Sequence, residues 1–103
     1  MAKLSDGEIK KRLGELEGWS VSEGMLNKGF DFDGFMDALE FVVDIGGAAE
    51  EMGHHPEILL AYGSVDISIW TDSEKGLTEK DFELAKKIDE IDETPPDDPE
   101  DDE

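Results

Sequence analysis

Cysteine is absent from this 103-residue chain, which excludes disulfides and thiol chemistry and leaves histidine and carboxylate to build any metal site. Basic residues are scarce: Arg12 is the single arginine, and lysine and arginine together number 9 against 29 aspartates and glutamates. The positive surface that a phosphate backbone needs is therefore missing, which argues against nucleic acid as a partner, and an anionic membrane is repelled equally. No apolar run approaches the roughly 18 residues of a membrane span, and Met1-Ala2-Lys3-Leu4-Ser5-Asp6 has no apolar core of signal-peptide length. The expected location is cytoplasmic. Histidine is the last scarcity, with two in the chain, side by side at His54 and His55. No other side-chain type present titrates unperturbed between pH 5 and 8, so acid-base chemistry near neutrality has one place to happen.

What the chain has in abundance is negative charge, a net of -20. Nine of the 29 acids lie in residues 90–103 without a base, so residues 1–89 keep 20 acids against nine bases, a net of -11. The body is thus acidic in its own right. At molar salt the Debye length falls to about 3 Å and such self-repulsion is screened, which suggests a salt-loving source. A small neutral substrate suits this surface better than a polyanion. At this length one small domain is expected, and a second copy would add to its modest stability.

The order of elements reads helix, hairpin, helix, hairpin, helix. Ser5 with Glu8 three residues on forms a capping box, and Ile9, Leu13 and Leu16 follow on one face as far as Gly18. Trp19 and Val21 alternate with serines, Glu23-Gly24 turns the chain, and Leu26, Lys28, Phe30 and Phe32 line one face of the returning strand. Asp33 then caps a longer helix whose shared face is Phe35, Leu39, Val42, Gly46 and Ala49, ending near Gly53. Gly46-Gly47 inside it costs about 1 kcal/mol per glycine against alanine, which predicts a close-packed neighbour.

Ile58 to Tyr62 reads as a strand, Gly63-Ser64 as a turn, and Val65, Ile67 and Ile69 alternate with Asp66, Ser68 and Trp70 in the next strand. Thr78 caps the last helix with Asp81 at its third position, Leu77 and Phe82 form a hydrophobic staple, and Leu84, Ala85, Ile88 and Ile91 continue the apolar side. The fold class is α+β: a four-stranded antiparallel sheet with three helices on one face, in the order α-β-β-α-β-β-α. Residues 1–93 form the single domain, and residues 94–103, with Pro95, Pro96, Pro99 and an acid run, read as a disordered acidic tail. An uncovered edge strand offers a second subunit a place to pair.

The histidines sit where the second helix should end. His55 precedes Pro56, which pushes it toward an extended conformation, so the two rings should point in different directions and do different jobs. Glu50 and Glu51 lie four residues before His54 and His55, within reach if the helix persists that far. Spacing alone leaves the pair balanced between a reactive site and two residues that favour the negative end of a helix dipole. A metal is disfavoured because consecutive residues rarely converge on one ion and no third histidine exists.

Glu50-x3-His54-His55-Pro56-x5-Tyr62, then Thr71-x4-Gly76-Leu77-Thr78-x2-Asp81-Phe82 and Leu84-Ala85, resembles the pterin-4a-carbinolamine dehydratase family. The likeness extends upstream through Leu16-x-Gly18-Trp19, Lys28-x-Phe30-x-Phe32 and Phe41-Val42, and so covers roughly residues 10 to 90. The resemblance implies removal of water from a 4a-hydroxytetrahydropterin to give the quinonoid dihydropterin, with the pterin as substrate and no metal or organic cofactor. It implies that His54 and His55 are the catalytic pair, with Asp81 as a supporting acid and Asp72 at the remaining catalytic position. It further implies a pterin pocket lined by Glu50, Gly53, His54, His55, Trp70, Thr71 and Asp72.

Two positions depart from the family pattern. Asp72 stands where the family has a third histidine, and Gly53 where its members often carry an acid. An aspartate accepts a proton or a pterin N–H hydrogen bond but does not donate at neutrality unless burial or a like charge, such as that of Glu74, intervenes. By the same resemblance a homodimer or homotetramer is expected. The alternative to turnover is a module of the same fold that binds a pterin or a protein partner, in the manner of dimerisation cofactors of transcription regulators.

Overall fold

A computed structural model describes residues 3–93; the tail expected over 94–103 lies outside them. The elements are α1 (Asp6–Leu13), β1 (Ser20–Ser22), β2 (Met25–Asp31), α2 (Phe35–Met52), β3 (Glu57–Ala61), β4 (Ser64–Ile69) and α3 (Glu79–Glu93), with a short 3-10 turn at Asp72–Glu74. The four strands form one antiparallel sheet in the order β1-β2-β4-β3. This is the α+β architecture expected from the two hairpins and three amphipathic helices.

Register places the core. Leu26 pairs with Ile69, Lys28 with Ile67 and Phe30 with Val65, so one face of the central strands presents the apolar side chains on which the helices lie. From α2 come Ala38, Phe41, Ile45, Ala48 and Ala49, and from α3 come Phe82, Leu84, Ala85 and Ile88, all buried. The Glu23-Gly24 turn between β1 and β2 has positive φ at both residues, 54° and 76°, the backbone of a tight hairpin whose twist matches its strands. A polar lock ties this hairpin to α3. The Lys28 ammonium donates to Asp89 at 2.9 Å and to the Glu17 carbonyl at 2.8 Å, lying over the Phe30 ring, while the Trp19 indole N–H donates to the same carboxylate.

Several boundaries differ from the sequence expectation. Helix α1 stops at Leu13 with Gly14 as its cap, and tighter turns from Arg12 to Glu15 and Leu13 to Leu16 carry Leu16 to the core without further helix. Helix α2 is capped by extended Gly34, not by Asp33, whose side chain makes no cap bond. Its buried face is rotated by about one residue from the expected set, because the helix is apolar on both sides and the aromatic cluster decides: Phe41 stacks at 4.8 Å on Phe30 and 5.1 Å on Phe32. Phe35, Met36 and Val43 are consequently exposed. Gly46 and Gly47 are exposed as well, and among the described residues no atom beyond the adjoining backbone of the helix itself lies within 4 Å of a Cβ built on either, so the expected close-packed neighbour is not there. The second hairpin turns at Tyr62-Gly63, one residue earlier than expected.

Candidate active site

Helix α2 delivers the histidines by the way it ends. Gly53 adopts the left-handed conformation, φ 66°, which favours glycine because it has no Cβ. The Gly53 N–H then reaches the Glu50 carbonyl at 3.2 Å and the His54 N–H reaches the Ala49 carbonyl at 3.1 Å, the two bonds of a Schellman motif. Lys80, in the first turn of α3, donates to the Met52 carbonyl at 3.2 Å and caps the same helix end from outside. The backbone of His54 is thus fixed before its side chain engages anything.

The two rings part at once. His54 Nε2 lies 2.5 Å from Asp81 Oδ1, with the His54 side chain 12% exposed and that of Asp81 0%. His55 Nε2 lies 2.8 Å from Glu50 Oε1 in a pair that is 63% and 81% exposed. The condition for pairing each histidine with the glutamate four residues back, a helix that persists to His55, is not met. The helix stops at Met52 and Gly53 turns the chain, so Glu50 meets His55, His54 turns inward to Asp81, and among the described residues no hydrogen bond joins Glu51 to either ring.

Asp81 is a buried carboxylate with a full set of partners, as a buried charge requires. Its Oδ2 accepts the Thr78 N–H at 2.8 Å and the Thr71 hydroxyl at 2.8 Å. The first of these is the return half of the capping box expected at the start of α3. The other half is not made: the Asp81 N–H reaches the Thr78 backbone carbonyl at 3.1 Å, and the Thr78 hydroxyl meets the Thr71 hydroxyl at 2.9 Å. Thr71 in turn closes the loop that follows β4, through an isolated antiparallel bridge to Gly76.

The arrangement brings together His54, Asp81 and Thr71, and separately Glu50 and His55. Trp70 packs half-buried against the core, and Asp72 is exposed at the start of the 3-10 turn; among the described residues neither hydrogen-bonds a histidine. Two contributors escaped the sequence reading. Thr78 was legible only as a helix cap, and Lys80 had no signal, since its partner is a backbone carbonyl 28 residues away. Among the described residues no three histidines or carboxylates are grouped to hold a metal ion. A cleft of about 280 Å³ bordered by Phe32, Asp37, Phe41 and Ile91 contains no histidine and stands apart from this chemistry. Chemically, the site offers one ring steadied by a buried carboxylate and a neighbouring ring open to solvent.

The family model described as pterin 4 alpha carbinolamine dehydratase matches residues 2–91. A provisionally named pterin-4-alpha-carbinolamine dehydratase of Sulfolobus acidocaldarius is 52% identical over 89 residues, 86% of this chain and 98% of that protein. A crystal structure from Brucella melitensis, described as a transcriptional coactivator/pterin dehydratase, superposes with a TM-score of 0.84 at 34% identity, covering 86% of this chain and 97% of the other. A pterin dehydratase-like protein identified as a RuBisCO assembly factor in the alpha-carboxysome shares the fold, with a TM-score of 0.62 at 23% identity over 75% of this chain and 89% of the other. The chain belongs to the pterin-4a-carbinolamine dehydratase family. Among its described residues no helix is long and apolar enough to cross a membrane.

Proposed function

We propose that the protein is a working dehydratase that removes water from a 4a-hydroxytetrahydropterin. The observation that carries this reading is His54 seated on buried Asp81 next to solvent-facing His55, two imidazoles in different settings at one place. Dehydration needs two proton movements. The C4a hydroxyl leaves as water after receiving a proton, and the N5 proton is taken as the C4a–N5 double bond forms. A protonated imidazole supplies the first and a neutral imidazole performs the second, each most effective with a pKa near the working pH. Asp72 accepts a pterin N–H bond and orients the ring system, with Glu50, Gly53, Trp70 and Thr71 bordering the pocket. No metal or organic cofactor takes part. Residues 1–93 act as the single domain, in a salt-rich cytoplasm.

The test generates the 4a-hydroxytetrahydropterin in situ, adds the protein in molar potassium chloride and follows formation of the quinonoid dihydropterin. Acceleration over spontaneous dehydration is expected, reduced by about 100-fold or more in His54→Ala and less in His55→Ala, and raised in Asp72→His. A wild-type rate equal to the spontaneous one ends the enzyme reading.

A second reading has an observation of its own. The Brucella protein is described as a coactivator as well as a dehydratase, and here exposed Phe35, Met36 and Val43 on α2, with open-edged β3, offer surface to a protein partner or to further copies in a homodimer or homotetramer. A protein that binds pterin without turnover supports this binding-module reading instead.

A further inference from the structure

We propose that Thr71 and Thr78 are positioning residues whose hydroxyls form a one-way chain that fixes the proton of His54 on Nε2 and leaves Nδ1 as the nitrogen that exchanges protons with substrate. The direction of the chain follows from counting hydrogens. A hydroxyl carries one proton, and that of Thr71 is given to Asp81 Oδ2 at 2.8 Å. The 2.9 Å contact between the two threonine oxygens is then bridged by the Thr78 proton. Thr78 donates to Thr71, Thr71 donates to Asp81, and the Thr78 backbone N–H donates to the same oxygen.

With Oδ2 occupied by two donors, the carboxylate cannot turn without breaking both bonds, and Oδ1 is held on His54 at 2.5 Å. A carboxylate has no proton of its own to offer, so the hydrogen in that contact belongs to Nε2. Burial makes the arrangement exacting, because Asp81 and Thr78 are both 0% exposed and water cannot replace a lost donor. His55 lacks any such support: its Nε2 meets an exposed glutamate, and among the described residues no other side chain hydrogen-bonds that glutamate. The Thr71 backbone also closes the loop carrying Asp72 through the Gly76 bridge. One residue thus sets both the inner histidine and the outer aspartate.

The kinetic arm of the test rests on the dehydratase reading; the spectroscopic arm does not. With two histidines in the chain, imidazole signals of nitrogen-15-labelled protein are assigned by one substitution, His55→Ala. The wild type is expected to show a low-field imidazole proton coupled to His54 Nε2 and protected from water. In Thr71→Val its exchange with water rises about tenfold and kcat falls about tenfold with KM within twofold; Thr71→Ser restores both. Thr78→Val, which keeps volume and backbone N–H, gives a smaller change of the same sign and carries the test if Thr71→Val does not fold. A His54 that carries its proton on Nδ1 and none on Nε2 in the wild type overturns the proposal, as does a Thr71→Val protein with unchanged exchange and kcat. A wild type without dehydratase activity whose Nε2 proton is still protected, and loosened by Thr71→Val, upholds the proton assignment and overturns only the reaction.

Discussion

His54 and His55 are adjacent in the chain, yet they belong to different regions of the molecule. The inner region is built by α3, the end of β4 and the loop between them, and its polar atoms are buried or half-buried and mutually bonded through Asp81, Thr71 and Thr78. The outer region is the solvent face of the last turns of α2, with Gly46, Gly47, Glu50 and His55 exposed. The same residue type is thus placed once in a low-dielectric network, where each lost bond is costly, and once in water, where each is nearly free. Gly53 makes the division, since its left-handed backbone directs one ring inward and the next outward.

The largest effect is expected at the centre of the inner region. Asp81→Ala removes the acceptor of the Thr78 N–H, the Thr71 hydroxyl and His54 Nε2 together and leaves buried donors without partners. At roughly 1–3 kcal/mol for each unsatisfied group, the loss of stability should reach about 3 kcal/mol, a large part of what holds a domain this small. Urea unfolding followed by tryptophan fluorescence measures it. A loss under about 1 kcal/mol would mean that water enters and replaces the carboxylate, and the inner region would no longer contrast with the outer one.

Legibility from sequence followed the same division. The outer region could be read locally, with Gly53 as a helix stop and Pro56 turning His55 into an extended segment, and of the inner region only the helix start at Thr78 with Asp81 three residues on. Each depends on backbone preferences within a few positions. The strands were read from alternation, and Val65, Ile67 and Ile69 are buried as that pattern requires. The inner site needed tertiary information. The His54–Asp81 contact spans 27 residues and the Lys80–Met52 contact 28, and no local propensity encodes either. The buried face of α2 was misjudged by one position because the helix is apolar nearly all round, so the choice of face rested on the phenylalanines of β2 and the residue after it.

An intermediate effect of opposite sign is expected on the outer face of α2. Gly47→Ala adds a methyl where, among the described residues, no atom beyond the adjoining backbone of the helix lies within 4 Å and removes a flexible residue from a helix interior, so the isolated chain should gain about 0.5–1 kcal/mol. Thermal unfolding at low protein concentration, with light scattering for mass, separates two outcomes. A gain without change of mass sharpens the contrast between a packed inner region and a bare outer one. A drop in mass with loss of stability would show that a second copy covers this face, close enough to need the glycine.

The smallest effect is expected at Glu50. Glu50→Ala breaks the 2.8 Å contact with His55 Nε2, but both side chains are mostly in water, and exposed ion pairs contribute a median of about 0–1 kcal/mol before salt screens them. Stability should fall by less than about 0.5 kcal/mol at low salt and be indistinguishable from wild type in molar potassium chloride, where the Debye length is about 3 Å. Urea midpoints at the two salt concentrations provide the measurement. A salt-independent loss above 1 kcal/mol would place the pair in a low-dielectric setting that the isolated chain does not provide, and the outer histidine would then be as deliberately held as the inner one.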